Sequence, residues 1–192
     1  MTSANTTAIR RADLPRLSVT TKTAATALAI VAAVALPQLF HAMGAASGLG
    51  TALGSAFLPM HLPIIFVGLV AGPAAGAIAG AAAPLVSFAL SGMPMLAMLP
   101  LMVVELCVYG LVAGLLRDIK LPAIAKVLIA QIAGRVAYSL AVAVAVLAFG
   151  RDMSIASIWT SSLVAGLPGI ALQLALLPPL AYWTNDLIAK RH

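Results

Sequence analysis

The chain has 192 residues, of which 62% are hydrophobic and only 8% are charged, with a formal net charge of +6. This composition excludes an ordinary soluble globular domain and indicates that the chain is dissolved in a lipid bilayer. The positive charge does not indicate a nucleic-acid partner, because no basic stripe is interleaved with aromatic residues.

The chain is expected to form an all-α integral membrane bundle. Residues 1–21 are polar and basic, which predicts a cytoplasmic tail ahead of a single transmembrane domain, 22–190. A cleaved signal peptide is the alternative, but the first apolar run is longer than a usual signal-peptide core. A membrane helix needs roughly 20 apolar residues. The apolar runs therefore predict six transmembrane helices, near 22–40, 57–71, 74–91, 94–116, 122–149 and 157–187.

Two connections between these helices are of interest. The second and third apolar runs are separated only by Gly72 and Pro73, so they form either two helices or one broken, re-entrant element. The segment His41–Ser55 is predicted to be a long loop outside the cell. Loops of this length are often lids or binding loops, although a plain connector is an equal alternative.

The distribution of positive charge predicts the orientation of the bundle. With six spans, nearly all Lys and Arg residues outside the helices fall on one side, and only Arg151 lies on the other. Because cytoplasmic connections are enriched in Lys and Arg, we expect a multi-pass protein of the cell membrane with both termini in the cytoplasm.

Two ionisable residues lie near the middle of predicted spans, Glu105 on the fourth helix and Arg135 on the fifth. A charge at the centre of a membrane helix costs about 2.5–3.5 kcal/mol on insertion scales, so each should face the protein interior with a partner. They either pair only with one another or also contact a polar ligand. Intramembrane charges favour the second interpretation.

Polar and aromatic neighbours follow the same helical faces as these charges. His61 begins the second helix near the outer interface, where it either caps the helix or contacts a ligand. The predicted substrate-binding residues are His61, Glu105, Tyr109, Gln131, Arg135, Tyr138, Trp159 and Gln173.

Small residues recur at four-residue spacing in two stretches of the sequence, and this pattern allows helices to approach closely in lipid. The glycines from Gly68 to Gly80 are predicted to serve internal packing. On the first helix, Ala25, Ala29 and Ala33 form a similar stripe, for which internal packing and docking of another membrane protein are both open.

Catalytic signatures are missing from the sequence. There is no phosphate-binding loop, no H-E-x-x-H, no G-x-S-x-G and no cluster of carboxylates. Cys107 is the single cysteine and cannot form an internal disulfide or a cysteine-based metal site. We therefore expect neither an enzyme nor a bound metal or cofactor, and any ATP drive must come from partners.

Five stretches, in this order, carry a family resemblance: FLPMHLPIIFVGLVAGP, PLVSFALSGMP, ELCVYGLVAGLL, AGRVAYS and AGLPGIALQLALLP, between residues 57 and 178. Together they resemble the S components of energy-coupling factor transporters, the bacterial vitamin importers. The resemblance implies a six-helix subunit that binds a vitamin or cofactor precursor from outside through its first outer loop and last three helices. It also implies docking onto a transmembrane T component with two ATPase subunits, through an alanine stripe that Ala25, Ala29 and Ala33 match.

The substrate itself is not identified by any signature. The aromatic pocket of a thiamin binder is missing, and the two charges suit a small polar heterocycle or a zwitterion. A self-sufficient proton-coupled carrier that uses Glu105 and Arg135 is the alternative function, although no inverted repeat of interrupted helices supports it. A structural membrane protein with an internal salt bridge is a third.

Overall fold

The computed structural model describes residues 14, 17–50, 52–149 and 155–190. This part of the chain folds into helices only: α1 (Val19–Ala46), α2 (Ala52–Phe57), α3 (His61–Ala71), α4 (Pro73–Ser91), α5 (Leu99–Leu115), α6 (Ala123–Phe149) and α7 (Ile155–Ala189). With α2 and α3 counted as the one span Ala52–Ala71, the described helices follow the predicted order of six. The predicted fold class, an all-α membrane bundle, is confirmed.

Length and hydropathy agree with membrane insertion. Among the residues described, four helical units are long and apolar enough to cross a bilayer, and α5 is a shorter apolar helix of 17 residues. Large apolar side chains on the outer faces are exposed, such as Leu28 on α1 and Leu147 on α6. A bundle in lipid has no reason to bury such residues, since the lipid tails are equally apolar.

The prediction of an outer loop over His41–Ser55 is wrong for most of these residues. Helix α1 continues to Ala46, and α2 begins at Ala52, so that a short turn remains between them. Gly48 and Gly50 supply this turn with φ angles of 75° and 56°, which residues with a Cβ atom rarely adopt. The preceding Ala-rich residues have high helix propensity and extend α1 instead.

The predicted second and third apolar runs, separated by Gly72 and Pro73, are two separate helices, α3 and α4, joined by a tight turn. Gly72 ends α3 with a φ of 99°, and Pro73 opens α4 at a position where its missing N–H is not needed. Gly68 and Gly76, four residues to either side of the turn, both face the carbonyl oxygen of Gly110 on α5. The two helices therefore run in opposite directions along α5.

Glycine contacts explain how closely α4 and α5 pack. A Cβ atom on Gly76 would collide with the backbone of Gly110, and one on Gly80 with the backbone of Leu106. The prediction of internal packing is confirmed for Gly68, Gly76 and Gly80, whereas Gly72 has no close neighbour and serves the turn. Helix α5, which contacts α3, α4 and α6, is the centre of the bundle.

Arg117 and Lys126 link helix ends at the end of the bundle where α1 begins and α7 ends. The Nε atom of Arg117 donates a hydrogen bond to the carbonyl oxygen of Val70 at 2.8 Å, close to the end of α3. Lys126 Nζ donates to the carbonyl oxygen of Arg117 at 2.8 Å. These bonds satisfy carbonyl groups that a helix end leaves open.

Candidate functional site

A cavity of about 630 Å³ opens at the end of the bundle opposite the first residues of α1 and the last residues of α7. It lies among the last turns of α1, helix α2, the start of α3, the end of α4, the start of α5 and the middle of α6. Its walls combine apolar and sulfur-containing side chains with a few polar groups. The lining residues include Leu58, His61, Met98, Met102, Glu105, Arg135 and Tyr138.

The two intramembrane charges meet at this cavity. Arg135 Nη1 lies 3.2 Å from Glu105 Oε1, and the two side chains are 11% and 5% exposed. The hydroxyl of Tyr109 donates to the same Oε1 atom at 3.1 Å. Both contacts thus end on one carboxylate oxygen. The pair joins α5 to α6 and also lines the cavity. The two predicted roles, a salt bridge between helices and a contact to a polar ligand, are therefore compatible.

Tyr109 is positioned by its neighbours on two other helices. Its ring centroid lies 5.0 Å from that of His61, with the rings at 67°. A Cβ atom on Gly134 would lie 2.7 Å from the Tyr109 ring, so this glycine makes room for the ring against α6. His61 is therefore a buried side chain within the bundle rather than an interfacial helix cap.

Gln131 and Gln173 bridge α6 and α7. Gln131 Nε2 donates to Gln173 Oε1 at 2.9 Å, and both side chains are buried. The two glutamines line a second, smaller cavity of about 210 Å³. Leu58, His61 and Arg135 line both cavities, so the two spaces adjoin at these residues.

Several buried polar atoms around this junction have no hydrogen-bond partner within the described part of the chain. These atoms are Nε and Nη2 of Arg135 and Nε2 of Gln173. A buried donor without a partner costs about 1–3 kcal/mol, which is why such groups are rare outside functional sites. Three such donors lie around one junction, where a polar group would satisfy them.

Helix α7 approaches the junction closely because of two glycines. A Cβ atom on Gly166 would lie 2.9 Å from the Leu58 side chain and 3.4 Å from Arg135 Nη2. One on Gly169 would lie 2.6 Å from the backbone of Phe57 at the end of α2. The break between α2 and α3 follows there, where Leu58 adopts a φ of 47°. Such a backbone is strained for a leucine and is typical of functional sites.

The structure brings seven of the eight predicted substrate-binding residues to the two cavities: His61, Glu105, Tyr109, Gln131, Arg135, Tyr138 and Gln173. The side chain of the eighth, Trp159, lies outside the described residues. Their role in binding remains a prediction, since the structure shows their position only.

Sequence analysis did not identify several lining residues. They are Gln38 and His41 on α1, Gly54 and Ser55 on α2, Leu58 to Met60, Ser87 on α4, and Met93 to Met95 in the following loop. Most lie at helix ends and in connections, where no helical periodicity relates them to the charges. The segment His41–Ser55, for which a binding loop was one of the two predicted alternatives, contains three of them: His41, Gly54 and Ser55.

The alanine stripe on α1 lies on the inner face of that helix. Ala29 and Ala33 are 7% and 0% exposed and belong to the core, and Ala25 packs against it. In this conformation Ala25, Ala29 and Ala33 therefore do not form an exposed docking surface. Their spacing serves close packing within the bundle, the alternative that the sequence left open.

The chain matches a known protein family. A family model described as "ECF transporter, substrate-specific component" matches residues 20–181. No curated protein and no solved structure matches the chain.

Proposed function

Since this chain belongs to the substrate-specific components of ECF transporters, we propose that it captures a vitamin or cofactor precursor from outside the cell. The ligand occupies the larger cavity, and a T component with two ATPase subunits drives its release into the cytoplasm. The observation that carries this proposal is the cavity of about 630 Å³ with the Glu105–Arg135 pair in its wall.

The dimensions and chemistry of the cavity support a small organic ligand. Pockets for such ligands have volumes of about 300–1,000 Å³, mostly apolar walls and a few polar groups that fix orientation. Met98, Met102 and Tyr138 supply polarizable and aromatic walls, and the charge pair supplies the polar groups. The hydroxyl of Tyr109 donates a hydrogen bond to Glu105, and the Tyr109 ring packs against the ring of His61.

The direction of capture follows from the distribution of charge. Lys22, Arg117, Lys120 and Lys190 lie at the end of the bundle where α1 begins and α7 ends, opposite the cavity. The enrichment of Lys and Arg on the cytoplasmic side supports an orientation in which the cavity faces outward. The lack of a phosphate-binding loop in the sequence supports a separate ATPase.

Mass spectrometry of small molecules that co-purify with the detergent-solubilised protein tests ligand capture. We expect one compound of vitamin size in near-stoichiometric amount, and its loss from Arg135→Ala. Lys120→Ala, which removes an exposed cation at the opposite end, is the matched control and should retain the compound. Protein that is empty under all conditions would argue for a structural role of the charge pair.

Uptake into liposomes tests the energy source. The chain alone should bind the identified compound without accumulating it, and accumulation should require the T component, both ATPase subunits and ATP. Accumulation by the chain alone that disappears when a pH gradient is collapsed would instead support the proton-coupled carrier.

A further inference from the structure

The partnerless polar atoms at the junction of the two cavities are mostly donors. Arg135 contributes its Nε–H and Nη2–H groups, and Gln173 contributes its Nε2 amide. The oxygen of Gln173 is already occupied by Gln131. His61 adds a ring that can donate or accept. The junction therefore matches a ligand group that accepts hydrogen bonds.

The geometry of Arg135 indicates the shape of this acceptor group. Arg135 uses Nη1 for Glu105, so the edge formed by Nε and Nη2 remains. This edge presents two parallel donors, which suit a planar acceptor such as a carbonyl or a carboxyl group. The smaller cavity of about 210 Å³ has room for such a group, and it adjoins the larger cavity, which has room for the rest of a ligand.

Charge balance decides between a neutral and an anionic ligand. Glu105 is the single glutamate of the chain and already neutralises Arg135 at 3.2 Å. A carboxylate on the free edge of Arg135 would leave one negative charge without a counter-charge in a buried site within the membrane. An uncompensated buried charge is expensive, whereas a group without net charge keeps the balance.

We propose that the ligand carries no net charge and places a planar carbonyl-type acceptor on the Nε–Nη2 edge of Arg135, beside Gln173. This inference rests on the proposed function, because it names the class of molecule that the same site takes. A carboxamide, a lactam or a zwitterion has this chemistry, and a simple carboxylate does not.

Two isosteric probes, benzamide and benzoate, separate the neutral from the anionic case. We would label the full chain with ¹⁵N-arginine in detergent and follow the Nε–H signals, with Arg135→Lys to assign the signal of Arg135. Benzamide should shift this signal at a concentration at least about tenfold lower than benzoate does. The Nε–H signal of Arg117, which is bonded to Val70 at the opposite end, should stay unchanged.

A second variant tests the role of Glu105 as the counter-charge. Glu105→Gln removes the negative charge and nearly keeps the shape, so benzoate should gain on benzamide and the order of the two probes should reverse. Equal or stronger binding of benzoate to the wild-type chain would overturn the inference, and so would an Arg135 signal that neither probe shifts. If Glu105→Gln does not fold, the comparison in the wild-type chain decides alone.

The native ligand separates a failure of this inference from a failure of the proposed function. A co-purifying compound with a net negative charge would overturn the neutral-ligand inference and still support capture by a substrate-specific component. A benzamide shift in a chain that never yields a native compound would support the acceptor site and count against the proposed function.

Discussion

Glu105 and Arg135 are the residues whose substitution should separate structural from binding contributions. Both are buried, and the removal of one partner leaves the other charge uncompensated. Arg135→Ala should therefore lower the free energy of unfolding by about 3–5 kcal/mol. The exchanged double variant, Glu105→Arg with Arg135→Glu, should recover much of this stability but should not bind the ligand, because donor and acceptor have changed places. Thermal unfolding and ligand co-purification in detergent measure the two effects.

The matched control is the exchange of Asp186 and Lys190, an ion pair near the end of α7 in which the lysine side chain is 70% exposed. Because exposed pairs contribute only about 0–1 kcal/mol, this exchange should change neither stability nor binding noticeably. If the exchanged pair of Glu105 and Arg135 still retained the ligand, the salt bridge would be structural only.

At the level of single residues, the sequence predicts the positions of the polar and charged side chains, because such residues are energetically costly in a membrane helix. Glu105, Arg135, Gln131 and Gln173 stand out in apolar helices, and helical spacing places them on inward faces. The walls supplied by Leu58 or Ser87 could not be predicted in this way. Leucine and serine are unremarkable in a membrane helix, and their contribution depends on how chain segments far apart in sequence meet.

Among the helices, the contact between α4 and α5 should be the most sensitive to added volume. A methyl group on Gly76 would meet the backbone of Gly110, which cannot rotate away as a side chain can. Gly76→Ala should therefore force the helices apart and lower the free energy of unfolding by about 1–3 kcal/mol or more. The midpoint of thermal unfolding in detergent should fall accordingly.

Ala89→Leu on the exposed face of α4 is the control for this substitution. It adds more volume than Gly76→Ala but places it toward lipid, so the midpoint should stay close to that of the wild-type chain. A Gly76→Ala variant as stable as this control would contradict the packing described for α4 and α5.

Helix α7 should affect ligand binding through its contact with α2. Gly169 lies against the backbone of Phe57, directly before the strained Leu58 that lines both cavities. Gly169→Ala should push the end of α2 away and displace Leu58, which we expect to weaken ligand binding by about tenfold, or about 1.4 kcal/mol. Leu167→Ala, on an exposed position of the same helix, should bind normally. Equal affinities of the two variants for the co-purified compound would show that α2 does not position the cavity wall.

The helices as units were largely predictable, and their ends were not. Apolar runs gave the order and approximate extent of all the helical units, because a bilayer demands a minimum apolar length. The predicted loop His41–Ser55 was wrong, since helix propensity extends α1 and two glycines suffice for the turn. The break between α2 and α3 falls at Leu58 and Pro59, where a proline that lacks an N–H is a local helix-breaking signal.

In the part of the molecule that the structure describes, the polar site lies at one end of the bundle, and Lys22, Arg117, Lys120 and Lys190 lie toward the other. The cavity is bounded by the connections α1–α2 and α4–α5, and the start of α1, the end of α7 and the α5–α6 connection lie at the other end. Arg117 and Lys126 bond helix-end carbonyls there. One end is thus held by backbone contacts, while the other holds partnerless donors around a cavity, as a subunit that receives a ligand from one side requires.

Cysteine labelling in intact cells tests this orientation. Cys107 is the single cysteine of the chain, so a Cys107→Ser background carries no thiol. Leu96→Cys, in the exposed α4–α5 connection beside the cavity, should react with a membrane-impermeant maleimide added outside. Lys120→Cys, in the α5–α6 connection, should react only after the membrane is permeabilised. The reverse pattern would place the cavity toward the cytoplasm, where a subunit that captures a ligand from outside could not use it. Because the positive charges predict the orientation and the cavity predicts the side of capture, this one pattern tests both together.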